Sequence, residues 1–281
     1  MTEPVSHVSD TARWVAVYRA WESARPDALF RDPFAERLAG EQGNAIAKFM
    51  PRQARSGWPL IVRTRLIDDL IRLSIAEGCD CVINLAAGLD TRPFRMALPS
   101  SLQWIEVDFP AMVEEKQRLM GAETPVCRLS RYAADLSDPV ARAGLLANIA
   151  GNSTRTLVIT EGLLVYMDAI VVRDLANDLM RQSGIRWWVF DLASPGLLQL
   201  MSKSMGHHLI NAPMKFAPAN GVAFFEALGW RVLEIQSFLR AASRLHRLPL
   251  LLRPFALLPD PNPRHPGNAR WSAAIRLVQS R

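Results

Sequence analysis

Cysteine is scarce, with only Cys79, Cys81 and Cys127 in 281 residues. That is too few for a disulfide framework, and the Cys79/Cys81 pair lacks the second pair that a zinc site would need. Buried thiols are the expected role. The five histidines, at 7, 207, 208, 246 and 265, have no carboxylates at ligand spacing, so no metal centre is expected. Also missing is any apolar run of roughly 18 residues, the length needed to cross a bilayer. The opening "MTEPVSHVSDTARW" lacks the basic start and apolar stretch of a secretion signal. These absences predict a soluble, cytoplasmic protein with no stable membrane insertion. No internal repeat or low-complexity tract interrupts it.

The hydrophobic fraction of 49% can fill a substantial core, in one large domain or two small ones. The formal charge of +6 raises the question of nucleic-acid binding. Its distribution argues against it: arginines are scattered along the chain, with no basic tail and no aromatic-basic interleaving.

Residues 1–60 read as short amphipathic helices broken by Pro26 and Pro33, an N-terminal helical cover. In "LIVRTRLIDDLIRLSIAEG" (60–78), Ile61, Leu66, Ile67, Leu70, Ile71 and Ile75 recur at helical spacing and Gly78 marks the end. Apolar runs at 81–86, 102–109, 125–130, 156–160, 186–193, 230–238 and 271–279 then alternate with helical patterns near 110–120, 139–149, 168–183 and 218–228. Seven strands so interleaved predict an α/β fold with a doubly wound, mostly parallel sheet over residues 61–281. Segments 194–217 and 239–270 are too long for ordinary connections and are candidate caps over a site.

The bend in "VINLAAGLDTRPFRMAL" (82–98) carries the single glycine Gly88, flanked by the small Ala86 and Ala87. In such sheets ligands bind beyond the carboxyl ends of the strands, where the strand order reverses. Gly88 either lets a ligand approach the backbone or merely makes a tight turn. Asp108 lies 20 positions on, at the end of the next predicted strand, where a carboxylate can accept both hydrogen bonds of a ribose diol or cap a helix beginning at Pro110. Together they favour an adenosine-containing ligand.

The ordered set "RTRLIDD", "NLAAGLDTRPFR", "WIEVDFP", "AADLSD" and "EGLLVYM" resembles the leucine carboxyl methyltransferase family, in particular its bacterial branch of polyketide and mycobacterial O-methyltransferases. The resemblance runs from about residue 13 to 238 and includes "WESARPDALFRDPFAERLAG". It implies a class I methyltransferase fold, Rossmann-like, and S-adenosyl-L-methionine as cofactor. It further implies that Arg63, with Arg65 as a substitute, pairs bidentately with the methionine carboxylate. Gly88 would pass under the methionine and Asp108 would hold the ribose. Asp135 and Leu136 would lie along the adenine, and Glu161 would face the methionine amino group or the sulfonium. The family commonly has glycine where this chain has Ala86.

The expected activity is O-methylation of a carboxylate or hydroxyl on a small apolar acceptor. His207 and His208 are candidate bases or simply packed histidines, and Tyr166 and Asn211 are candidates to orient the acceptor. Tyr18 and Trp21 are pocket walls or core. The stretch "RLHRLPLLLRPFALLP" (244–259) reads as a substrate wall or buried packing in preference to a membrane contact, because Pro249 and Pro254 break any long amphipathic helix. Rival readings are a binder of the cofactor or of a hydrophobic ligand without catalysis, a protein-modifying enzyme, and a nicotinamide-dependent oxidoreductase. The single glycine and the missing Tyr-xxx-Lys pair count against the last of these.

Overall fold

The computed structural model describes residue 7 and residues 9–51, 56–150 and 155–280; the rest of the predicted cover, 1–6, 8 and 52–55, lies outside them. The seven strands are β1 (Cys81–Leu85), β2 (Gln103–Asp108), β3 (Arg128–Ala133), β4 (Thr156–Thr160), β5 (Ile185–Ala193), β6 (Trp230–Ser237) and β7 (Ser272–Gln279). They form one sheet in the order β3-β2-β1-β4-β5-β7-β6, parallel except that β7 runs antiparallel to both neighbours. The order reverses at β1, which lies between β2 and β4.

Successive residues of a strand point to opposite faces, and both faces are covered. On one face Val82, Trp104, Leu157 and Trp187 pack with Val62, Leu66, Ile67 and Leu70 of α3 (Trp58–Ala76). On the other, Ile83, Val158, Trp188 and Phe190 pack with Leu146 of the helix Pro139–Ala150 and with Val172, Leu175 and Leu179 of the helix Ala169–Met180. A third cluster joins α1 (Asp10–Ser23) and α2 (Ala35–Phe49) to Ile61, Leu89, Met112 and Leu209. There Arg19 donates to Asp32 at 2.8 Å and to the Leu89 carbonyl at 2.6 Å, and Thr91 donates to Asp32 at 2.7 Å, so α1 is tied to the loop after β1.

Three local expectations need correction. β3 begins at Arg128, not 125, because it is an edge strand whose residues alternate between exposed and half-buried and so carry no apolar run. The helix expected over 218–228 shrinks to Ala223–Glu226, preceded by Gly221 at φ +47°. In 244–259, Leu252 and Ala256 pack inward, whereas Leu250, Leu251 and Leu257 are exposed and so are not buried packing.

Candidate functional site

A cavity of about 1030 Å³ opens at the carboxyl ends of β1, β2, β4 and β5. Arg63, Gly88, Asp108, Asp135, Leu136, Glu161 and Tyr166 all line it. Arg65 does not; it pairs with Asp69 at 2.9 Å and with the Leu29 carbonyl.

The two clues at the first bend are joined directly. The Gly88 N–H donates to Asp108 Oδ2 at 2.6 Å, and the Phe109 N–H donates to Oδ1 at 2.8 Å. A carboxylate offers about four acceptor positions, so a diol can still be received. Burial raises the Asp108 pKa above its usual value, and the two backbone donors only partly offset this. Gly88 has φ +47°, and a Cβ there would stand 3.1 Å from the Ala12 methyl of α1. Ala86 also lies in the left-handed region, at φ +55°. That conformation favours glycine, which is a physical reason for a glycine at this position.

At the neighbouring strand ends the site is ionic. Arg63 Nε donates to Glu161 Oε1 at 3.0 Å and Nη1 to Asp191 Oδ2 at 3.3 Å. The other Glu161 oxygen faces Arg92 Nη1 at 2.7 Å. Arg92 also meets Asp90 at 2.7 Å and Asp68 at 2.6 Å, and Arg95 grips Asp68 through both terminal nitrogens. Burial by itself would raise the Glu161 pKa, but Arg92 and Arg63 outweigh it and hold the carboxyl below its usual value. Four carboxylates against three guanidiniums leave this network one negative charge in excess. Gly162, at φ +64°, donates its N–H to Asp191 Oδ1 at 2.6 Å. A Cβ there would stand 3.1 Å from Arg63 Nη1, so a larger residue after Glu161 would strain the backbone and press on the guanidinium.

Sequence reasoning missed Asp90, Arg92, Gly162 and Asp191. The signal for Asp191 was present, since "VFDLA" places an acidic residue near the carboxyl end of β5, two residues before Ala193. Asp90 and Arg92 lie inside the "GLDTRPFR" motif.

The candidate catalytic residues divide. Tyr166 is in the cavity wall and hydrogen-bonds Thr11 of α1; burial raises its pKa, with Arg63 and Thr11 pulling only part of the way back. His207 and His208 are outside the wall: His207 is exposed, and His208 packs edge-on against Phe49 at 4.5 Å between ring centres. Asn211 is exposed and also outside the wall. From α1 the wall takes Thr11, Ala12, Trp14, Val15 and Arg19; Tyr18 is buried between Trp14 and the exposed Trp21. The cysteines are buried free thiols, Cys79 pushed by burial up to about 12 and Cys81 and Cys127 to about 11.

The model of the leucine carboxyl methyltransferase family matches residues 12–180. A protein from Frankia alni, whose name proposes an S-adenosyl-L-methionine-dependent methyltransferase, is 31% identical over 250 residues, 80% of this chain and 83% of that protein. A Streptomyces coelicolor protein with the same kind of name is 37% identical over 192 residues, 63% of this chain and 66% of that one. Among solved structures, a DUF574 family protein from Streptomyces avermitilis superposes with a TM-score of 0.56 at 14% identity, covering 96% of this chain and 97% of that one. A Thermobifida fusca protein, whose name proposes a methyltransferase, gives 0.56 at 17% identity, covering 86% and 89%. The sheet order and these neighbours make the fold that of the class I methyltransferases. The chain belongs to the leucine carboxyl methyltransferase family, and its cofactor is S-adenosyl-L-methionine.

Proposed function

We propose that this chain moves a methyl group from S-adenosyl-L-methionine to an oxygen of a small apolar acceptor, with an ionised carboxylate as the best-supported nucleophile and a hydroxyl as the second. The donor set fits the cofactor. With two of its five N–H groups committed to Glu161 and Asp191, Arg63 has three left for the methionine carboxylate. The excess negative charge of the network complements a ligand that carries a sulfonium and an ammonium against one carboxylate. Asp108 would accept from the ribose diol. Asp135 accepts from Ser137 through Oδ1 alone, so Oδ2 can take the adenine amine while Leu136 packs on the ring.

Bound S-adenosyl-L-methionine supplies an electrophilic methyl group on sulfur. The residues of the chain must then align an oxygen lone pair behind that methyl and keep water out, and positioning of this kind can lower a barrier by roughly 7 to 11 kcal/mol. Leu197, Met201, Met205, Met214 and Phe216 give the outer cavity an apolar wall suited to the acceptor body. In this reading residues 1–60 are a cover and 194–217 and 239–270 are caps over a domain spanning 61–281.

One observation carries the preference for a carboxylate: among the described residues no histidine lines the cavity, and burial raises the pKa of Tyr166 above its usual value. A carboxylic acid, with a pKa near about 4, arrives ionised and needs no base, whereas a phenol near about 10 does. Tyr166 would then orient the acceptor as a hydrogen-bond donor. Incubation with radiolabelled cofactor and a panel of apolar acids and phenols tests this. Product that releases methanol in mild alkali is an ester and supports the reading; alkali-stable product is an ether and overturns the preference for carboxylate.

A further inference from the structure

Residues 250–257 form a 3-10 segment bounded by Pro249 and containing Pro254. Its outward side is unusually apolar for a protein surface: Leu250 is 72% exposed, Leu251 88%, Phe255 56%, Leu257 86% and Leu258 59%. Isolated surface leucines need no explanation, but five large apolar side chains within nine residues mark an interaction site. The segment is not detached, because Leu252 and Ala256 pack into the core cluster beneath it. Phe255 and Leu258 are also part of the cavity wall, as is the partly exposed Leu200 of the helix Pro195–Met205. The apolar surface therefore continues into the mouth of the cavity.

Charge chooses the occupant. Residues 244–259 contain no carboxylate. Arg244 and Arg253 are exposed and make no ion pair or hydrogen bond among the described residues. Arg270, at the cavity rim, is equally exposed and unpaired there. Arg247 is engaged by Glu22 and Asp27, and the nearby Asp260 is taken by Arg240 at 3.1 Å. A second copy of the chain is disfavoured, because a two-fold interface would set this patch against itself, arginine-bearing and without a carboxylate in 244–259 on either side. An anionic lipid surface satisfies both features, taking the leucines into the acyl boundary and the arginines among the headgroups.

We propose that residues 250–258 dock this protein reversibly on an anionic lipid surface, with the mouth of the cavity turned toward the lipid. The consequence that an apolar acceptor enters from the bilayer rests on the methyl-transfer reading; the docking itself does not. Co-sedimentation with phosphatidylcholine vesicles, with and without about one fifth phosphatidylglycerol, tests it with neither cofactor nor acceptor present. The protein is expected to partition onto the anionic vesicles, and 0.5 M salt should weaken this as the arginine contribution is screened. The double substitution Leu251→Glu/Leu257→Glu is expected to cut the partition at least tenfold, and Arg253→Glu severalfold. Both variants change exposed side chains and should keep the wild-type thermal midpoint. No partition of the wild type, or equal partition of the wild type and the double variant, overturns the proposal. So does sedimentation showing a dimer that the double variant disperses, which would make the patch an interface between copies.

Discussion

The backbone N–H of Gly88 donates to the carboxylate of Asp108 across 2.6 Å, joining the bend after β1 to the end of β2 before any ligand is involved. The same carboxylate is buried, and burial has lifted its pKa. Only the ionised form accepts hydrogen bonds on both oxygens from a diol. Cofactor affinity should therefore fall as the pH drops through the Asp108 pKa, at a pH higher than an ordinary aspartate would give. Glu161, held low by Arg92 and Arg63, stays charged through that range. Calorimetric titration with S-adenosylhomocysteine from pH 7 downward should show this acid limb. In Asp108→Asn the limb should vanish and the neutral-pH affinity fall by about 10- to 100-fold, as expected for loss of charge-assisted hydrogen bonds.

Ala86 at φ +55° is strained, since a left-handed L-residue costs about 1 to 2 kcal/mol. Ala86→Gly relieves that and gives back part as chain entropy. The expected net gain is about 1 kcal/mol, seen as a rise of about 2 °C in the thermal midpoint. An unchanged or lower midpoint would show that the strain is absent or already compensated.

The placement of Tyr166 and of the histidines predicts opposite results for their variants. Tyr166→Phe keeps the ring but loses its hydrogen bond to Thr11 and, on the proposed reading, the donor offered to the acceptor. Cofactor affinity should hold within about twofold while kcat falls by about 2- to 10-fold. The double variant His207→Ala/His208→Ala, which touches residues outside the cavity wall, should keep kcat within about twofold. A loss of about 100-fold or more would place a histidine in the chemistry after all.

Most of the fold was legible because parallel strands buried on both faces leave uninterrupted apolar runs, as in "CVINL" and "TLVIT". β3 was misplaced for the converse reason, as an edge strand with polar alternation leaves no such run. Gly88, Asp108 and Glu161 were legible as cavity-lining residues because they lie at or just after the carboxyl ends of β1, β2 and β4. The ionic network was not, because its members meet only in three dimensions. Asp68 reaches Arg92 and Arg95 from 24 and 27 residues away, and Asp191 reaches Arg63 from 128. No helical or strand period records such contacts. Asp68, in the helix Trp58–Ala76, is completely buried in the fold.

That buried carboxylate is a stability determinant. Burial alone would raise its pKa, but Arg95 and Arg92 outweigh the effect and set it below the usual value. Its stabilisation is therefore complete above the unfolded-state value of about 4 and is lost as pH falls through the lower folded value. Asp68→Ala leaves two guanidiniums buried without their partner, which should cost about 3 to 5 kcal/mol in urea unfolding at pH 7. The difference between wild type and variant should narrow below about pH 4.

Calorimetric titration of wild type, Arg63→Ala and Asp108→Ala with S-adenosyl-L-methionine and S-adenosylhomocysteine, with NAD as the control, tests the central claim most directly. The account predicts micromolar binding of both sulfur ligands, at least tenfold weakening by each substitution, and no heat with NAD. Binding of NAD without the sulfur ligands, or cofactor affinity indifferent to both substitutions, would contradict it.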